Sequence, residues 1–488
     1  MNISSIFHRN VPLIGGHWLT ETSCGRVSHV NPSTGEVQAE LAIGGGAEIE
    51  AAVQSGLVAQ VQWMAMHPDQ RRDALLRLCD LVEANRTFFI QATALESGMP
   101  VSQGNGFVDL ALAWGRYYAG WVDKIEGSTF EAYPAGGSGM VRKEPYGVIG
   151  AIIPWNSPIV AMHMKVVPAL AAGNAVVLKP PSLTPFAALK YGELALEAGL
   201  PAGLLNVVPG DAEAGKALVC HPDIGKVSFT GGEAVAREVI RNSAETVKPL
   251  ALELGGKSAN MIFADADLDK AVEFSVTRSC IALTGQGCNL PKRLMVHKDV
   301  YDDVVARVEA SVKAIRQGAA TDPATVMGPV INQAACDMIL AVAAKAKAEG
   351  HGRLLYGARR CDGPLENGFF IEPTVFVDVP PDAYLAKQEV FGPVLAVIKF
   401  DTDEDAVNIA NSTQYGLGGY VHTRDINRAF KVSTRLKAGY ISVNGTAGMS
   451  PNAPFGGYKQ SGFGREGGPE GLHEFLQSKT VWFAHDPM

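Results

Sequence analysis

Cys288, in the run GQGC (285–288), is the residue of this chain best placed for covalent chemistry. Gly285 and Gly287 weaken a helix and Pro291 cannot continue one, so regular structure gives way around the thiol. A thiol presented on such a loop can act as a nucleophile, and a backbone N–H beside it can help hold an oxyanion. A free cysteine is more often a small buried hydrophobe, which is the reading for Cys24, Cys79, Cys220, Cys280, Cys336 and Cys361. Glu253 lies 35 residues upstream (288 − 253), at the end of an apolar run and just before Leu254, Gly255 and Gly256. A carboxylate where a buried strand turns into a loop can serve as a general base; a pairing with Lys257 or a helix cap is the alternative. Asn156, in PWNSP (154–158), can donate to a developing oxyanion, or simply cap the helix that Pro158 opens.

Three further runs suit a cofactor. Lys179 ends the strand-like NAVVLK before a Pro-bounded turn, where a cation can hold a ribose or phosphate. SFTGGEAVA (228–236) passes through Gly231 and Gly232 into a helix start, where backbone N–H groups can cradle a pyrophosphate. Glu389 precedes a Phe-Gly-Pro turn and can take a sugar hydroxyl.

These positions need a scaffold that brings them to one edge. From Gly147 onward short β-rich runs alternate with helical segments: 147–153, 174–179, 204–208, 226–229 and 249–254 read as strands, and 158–172, 185–198, 212–219 and 233–243 as helices. This rhythm predicts an α/β fold with a parallel sheet covered by helices, whose ligands sit at the carboxyl ends of the strands. A helix over 267–283 leads from Glu253 back toward Cys288. A second α/β block follows to about Phe455, and the first 120 residues are mostly helical. Gly127 to Arg142 is Gly-rich and β-like, an arm leaving the main body.

The chain has 488 residues, enough for two or three domains. It is 47% hydrophobic and 19% charged, with a net charge of -8, which lacks the basic footprint of a nucleic-acid binder. Seven scattered cysteines without CxxC fit neither a disulfide framework nor a zinc cluster, so no metal is expected and a reducing compartment is. No signal peptide or membrane span is read, and the cytoplasm is the expected location.

Together the runs resemble the aldehyde dehydrogenase superfamily, whose motif order is PWN, KP, FTG, ELGGK, GQxC, ExFGP and PFGGxKxSGxGRE. This chain has PWN (154–156), KP (179–180), FTG (229–231), ELGGK (253–257), GQGC (285–288), EVFGP (389–393) and PFGGYKQSGFGREGG (454–468), in that order. NPSTGEV (31–37) and YYAGWVDKIEG (117–127) extend the likeness to nearly the whole chain.

The resemblance implies a Rossmann-like cofactor domain at 1–122 and 144–254. It implies a second α/β catalytic domain at 255–455, and a small β oligomerisation arm with bridging elements at 123–143 and 456–488. It implies oxidation of an aldehyde to its acid with NAD(P). Cys288 forms a thiohemiacetal and then a thioester, Asn156 holds the oxyanion, Glu253 activates water, and Lys165 falls at the family's conserved-lysine position. Keeping Glu253 favours hydrolysis over transfer to coenzyme A. Trp155, Lys179, Ser182, Phe229, Thr230, Gly231, Gly232, Leu254, Glu389 and Phe391 are implied to hold the cofactor. Ala161, Met164, Gly287, Asn289, Met449 and Phe455 are implied to line the substrate pocket, with Ser157 and the loop 444–455.

The chain departs from the pattern in five places. Leu283 stands where Asn is common, and the spacing from Glu253 to Cys288 is one residue longer than the family's. NLPKR after the cysteine loses the usual small residues, and Gly232 replaces a common Ser. Ser182 replaces a Glu that in many members grips both ribose hydroxyls and disfavours NADP, so NAD is expected with NADP as the alternative. The mechanism asks for a pocket electropositive enough to hold a thiolate. The pocket loop carries no Asp or Glu for a cationic aldehyde and no Arg for a carboxylate, so a neutral, apolar or aromatic aldehyde is expected. A homodimer or homotetramer is expected from the arm. Two other readings stand beside this one: a silent scaffold, and a cofactor-independent cysteine esterase, which would want a histidine near the thiol.

Overall fold

The computed structural model describes residues 3–133, 136–445 and 449–484. Five parallel strands form the middle of an eight-stranded sheet, in the order Leu250–Glu253, Ile224–Thr230, Val148–Ile152, Ala175–Lys179, Leu205–Val207. Their residues are apolar and β-branched, and nearly all are buried, as expected of strands covered on both faces. Register matters more than order for function. Ile152 pairs with Lys179 and with Phe229, and Thr230 pairs with Glu253, so the carboxyl ends lie level. The sheet edges come from outside this run: Gly462–Phe463 adds antiparallel to Leu250–Glu253, and Leu13–Ile14 to Leu205–Val207.

The helix Pro158–Ala171 is buried along its whole length between this sheet and the helix Val101–Ala119. Pro158 opens it at N1, and Gly173, at φ +95°, turns the chain out of it. Two polar side chains in so apolar a helix must find partners inside the protein. His163 Nδ1 pairs with the Ile159 carbonyl at 2.9 Å, and Lys165 reaches across to the active-site edge.

A seven-stranded sheet carries the second half, ordered Arg353–Tyr356, Thr374–Val377, Val394–Phe400, Arg293–His297, Ala259–Ile262, Gly418–His422, Tyr440–Val443. Only its Arg353–Tyr356 edge is antiparallel. The predicted arm is a three-stranded sheet of Ser128–Glu131, Gly137–Pro145 and Leu476–Ala484; residues 134–135 of it lie outside the described residues. Among the described residues of the expected bridging segment 456–488, Leu476–Ala484 lies in the arm, while Gly462–Phe463 joins the large sheet.

One predicted helix is shorter than expected. The α-helix starting at Leu268, capped by Asp267, ends at Val276, and a π turn, Thr277–Ile281, follows. A π turn closes over one residue more than an α turn.

Candidate active site

A cavity of about 320 Å³ opens where the carboxyl ends of the first sheet meet the Cys288 loop. Cys288, Glu253, Asn156 and Lys165 all line it, as do Ala161, Met164, Gly287, Asn289, Met449 and Phe455. Thr230 and Ser157 are on its wall too. Residues 446–448 of the expected pocket loop lie outside the described residues. No histidine is among the described residues that line the cavity.

The glycine pair after Glu253 explains why these groups can meet. A Cβ on Gly255 would lie 2.1 Å from the Glu389 carboxylate, and one on Gly256 would lie 2.6 Å from the Cys288 carbonyl oxygen. Any side chain there would drive Glu389 and Cys288 away from Glu253. The Gly256 N–H also donates to Glu389 Oε1 at 3.0 Å.

Glu253 ends its strand with both carboxyl oxygens buried and bonded to nothing in the protein. Burial pushes its pKa well up, Glu466 adds to this, and Lys165 and Arg465 oppose it. Lys165 Nζ donates to Glu466 Oε1 at 2.7 Å and to Ser228 Oγ at 2.9 Å. Glu466 exchanges two backbone hydrogen bonds with Phe455, so the same residue fixes the lysine and a wall of the cavity. Sequence reasoning missed Glu466, although it is the final Glu of GRE in the last motif.

The expectation of an electropositive nucleophile pocket is corrected. Burial pushes the Cys288 thiol up to about 12, and the Glu389 and Glu253 carboxylates add to the rise. The Cys288 and Asn289 N–H groups oppose it without prevailing. Lys292, the nearest cation in sequence, spends its Nζ on the Ser279 and Gly392 carbonyls, at 2.6 and 2.8 Å. The neutral thiol therefore dominates near pH 7. Raising the pH increases the thiolate, while ionisation of Glu389, itself pushed up to about 7 by burial, works against it. Alkylation of Cys288 by iodoacetamide in the free enzyme is expected to accelerate by up to about tenfold per pH unit from about pH 6 to about pH 9. A rate already flat near neutrality would show a preformed thiolate.

Asn156 Nδ2 donates to the Gln286 carbonyl at 2.7 Å, two residues before the thiol. A primary amide has a second N–H, which remains for an oxyanion at Cys288. The loop itself is strained. Leu283, Thr284 and Gly285 take φ of 52°, 52° and 71° in succession. Asn tolerates this left-handed region and Leu does not, at a cost of about 1–3 kcal/mol per strained residue. Gln103 holds the turn from both sides: its Nε2 donates to the Ile281 carbonyl at 3.1 Å and its Oε1 accepts from the Leu283 N–H at 3.2 Å. Gln103 carries no sequence signal, since it sits in an ordinary helical run.

The cofactor candidates lie beside the cavity at the same sheet edge. Lys179 is buried at its strand end, and burial pulls its ammonium down to about 8 against the pull of Asp211. Ser182 Oγ donates to Asp211 Oδ1 at 2.6 Å. Trp155 stands edge-on to Phe391, with ring centroids 5.4 Å apart. Phe229 is buried, and the Leu254 N–H donates to the Ser461 carbonyl at 3.0 Å. Gly231 departs from expectation: its N–H is taken by the Glu253 carbonyl at 3.2 Å, and a Cβ on it would strike the Phe229 ring. Gly232 alone opens to free space, just before the helix Glu233–Ser243.

The described part of the pocket loop carries no charge; outside that loop, Arg278 of the π turn lines the cavity.

Comparison with known proteins agrees with this geometry. The aldehyde dehydrogenase family profile matches residues 18–481. An aldehyde dehydrogenase of Enchytraeus buchholzi is 40% identical over 477 residues, 96% of this chain and 94% of that one. PnpE from Pseudomonas sp. WBC-3 is 37% identical at a TM-score of 0.95, with 98% of each chain covered, and has also been solved with nicotinamide adenine dinucleotide. A betaine aldehyde dehydrogenase of Staphylococcus aureus, solved with NAD+, is 33% identical at a TM-score of 0.96, covering 99% of this chain and 97% of that one. A profile match across nearly the whole length, on a fold that gathers its motif residues around one thiol, places the chain in the aldehyde dehydrogenase family.

Proposed function

We propose that the chain oxidises an aldehyde with an apolar or aromatic body to its carboxylic acid, with NAD as the hydride acceptor. The observation that carries this is the convergence of Cys288, Glu253, Asn156 and Lys165 on one largely apolar cavity. The Cys288 sulfur attacks the aldehyde carbon as its proton leaves, and the carbonyl oxygen takes the charge against the free Asn156 N–H and the Cys288 N–H. The resulting thiohemiacetal loses hydride to become a thioester. Glu253 then removes a proton from water, and the hydroxide displaces the cysteine to release the acid. Lys165, held by Glu466, sits where a proton taken up by Glu253 can be passed on. With no histidine on the described cavity wall, the cofactor-independent esterase reading lacks its base.

The residues present fit a dinucleotide. Lys179 is buried and cationic, Gly232 leaves open space at a helix N-terminus, and Glu389 is held by a backbone N–H at the edge between cofactor and thiol. NAD, when bound, supplies the acceptor for the hydride. The carboxylate missing at Ser182 is supplied from Asp211, which the Ser182 hydroxyl orients. A carboxylate there repels a 2′-phosphate. Absorbance at the reduced-nicotinamide band with an aromatic aldehyde is expected to grow with NAD and to be slow with NADP. Asp211→Asn is expected to shift the NADP:NAD ratio of kcat/KM, and of Kd measured by calorimetry, by on the order of tenfold toward NADP. Equal use of both cofactors by the wild type would remove Asp211 from this role, and no reduction of either with any aldehyde would overturn the function itself.

All seven cysteines are free, which supports a reducing compartment, the cytoplasm by default. Among the described residues no helix is long and apolar enough to cross a membrane. The arm exposes Trp482 and Phe483 beside an open sheet edge, which supports a homodimer or homotetramer; sedimentation as a monomer would overturn that.

A further inference from the structure

We infer that the cavity takes an aldehyde whose far end carries an anionic, carboxylate-type group, bound by Arg278. This deepens the proposed function and rests on it.

The cavity has two cationic side chains among its described lining residues, Lys165 and Arg278. Lys165 is already satisfied by Glu466 and Ser228. Arg278 is not. Its Nε is buried and has no hydrogen-bond partner. Its guanidinium faces the Tyr420 hydroxyl, which gives its own proton to the Asn289 carbonyl at 2.7 Å. Tyr440 lies within electrostatic reach of it as well, and two tyrosine oxygens cannot satisfy five N–H donors. A guanidinium whose buried Nε has no partner, on an otherwise apolar wall of Phe107, Leu110, Val160 and Leu290, is a poor structural device, because a buried donor left unbonded carries a cost. It is a good ligand device, since its planar fork matches a carboxylate in two parallel hydrogen bonds.

The reacting end of the cavity is accounted for separately. Asn156, Cys288 and Glu253 serve the aldehyde carbon, and Gln103 is spent on the backbone of the nucleophile loop. Arg278 belongs to none of these. It is carried by the π turn Thr277–Ile281. A substrate with its aldehyde at Cys288 and its anionic group at Arg278 lies against the apolar wall that both share, with its charge away from the reacting carbon. A cationic aldehyde is disfavoured by the same group.

The matched pair 4-carboxybenzaldehyde and benzaldehyde tests this in the full-length protein at saturating NAD. Wild type is expected to favour the carboxylated aldehyde in kcat/KM by on the order of 10- to 100-fold, the range of a charge-assisted hydrogen bond, with the gain in KM. Arg278→Met is expected to bring the ratio to about one, and Arg278→Lys to leave it between. A wild-type ratio of one or less, or a preference that survives Arg278→Met, overturns the inference. Benzaldehyde turnover by wild type tests the aldehyde dehydrogenase reading independently. Should neither aldehyde be oxidised, calorimetric binding of terephthalate against benzoate still decides the role of Arg278: tighter terephthalate binding lost in Arg278→Met supports it, and equal binding refutes it.

Discussion

Cys288→Ala loses turnover, with kcat expected to fall on the order of 10⁴- to 10⁶-fold, while NAD still binds. The size follows from the nature of the step, because without the sulfur there is no covalent intermediate and hydride would have to leave a free aldehyde hydrate. The substitution removes one sulfur atom from the cavity wall and leaves the Gly256 contact, which involves the Cys288 backbone. The fold should therefore persist, and circular dichroism together with NAD binding separates a dead site from a lost structure. Steady-state absorbance of reduced nicotinamide is the readout. Retention of more than about one hundredth of wild-type kcat would mean that another group carries the chemistry.

Glu253→Gln is expected to separate the two halves of the reaction. Its carboxyl is buried, unbonded within the protein, and shares the cavity with the thiol. If its task is to activate water, the variant still forms the thioester, giving one equivalent of reduced cofactor per site in a rapid burst. Turnover then slows by roughly 10²- to 10⁴-fold, the usual worth of a general base. The acyl group should remain on Cys288, visible as added mass on the intact protein. A burst-free variant without adduct would move Glu253 to the first step, as the base that deprotonates the thiol. Unimpaired steady-state turnover would exclude it from both steps. Gln also removes one of the carboxylates that raise the thiol pKa, so Cys288 alkylation should quicken in the same variant.

Much of the scaffold was legible in the sequence. The alternation from Gly147 to Leu254 placed all five central strands and the four helices between them, because these strands are mainly apolar and have a glycine or proline within two residues of their ends. The same local logic marked Cys288, Glu253 and Asn156, whose neighbours break regular structure for a reason. The helix over 267–283 stops at Val276 because periodicity does not distinguish an α turn from the π turn that follows it. Gly231 failed as a phosphate donor because its N–H is claimed by a neighbouring strand.

The amino-acid order by itself thus determined the fold class and marked the candidate nucleophile and carboxylate, since these depend on residue type and short-range pattern, while the resemblance to the family supplied the pocket residues. Tertiary structure alone decided how those residues are held and charged. Glu466 reaches Lys165 across 301 positions of chain, Gln103 reaches Ile281 across 178, and Asp211 stands in beside Ser182 from the next strand's loop. The raised pKa of the thiol is of the same kind, being the product of burial and of two carboxylates brought in from a strand end and from a separate loop. Strand register and loop closure set these contacts, and both are properties of the packed sheet that no local pattern encodes.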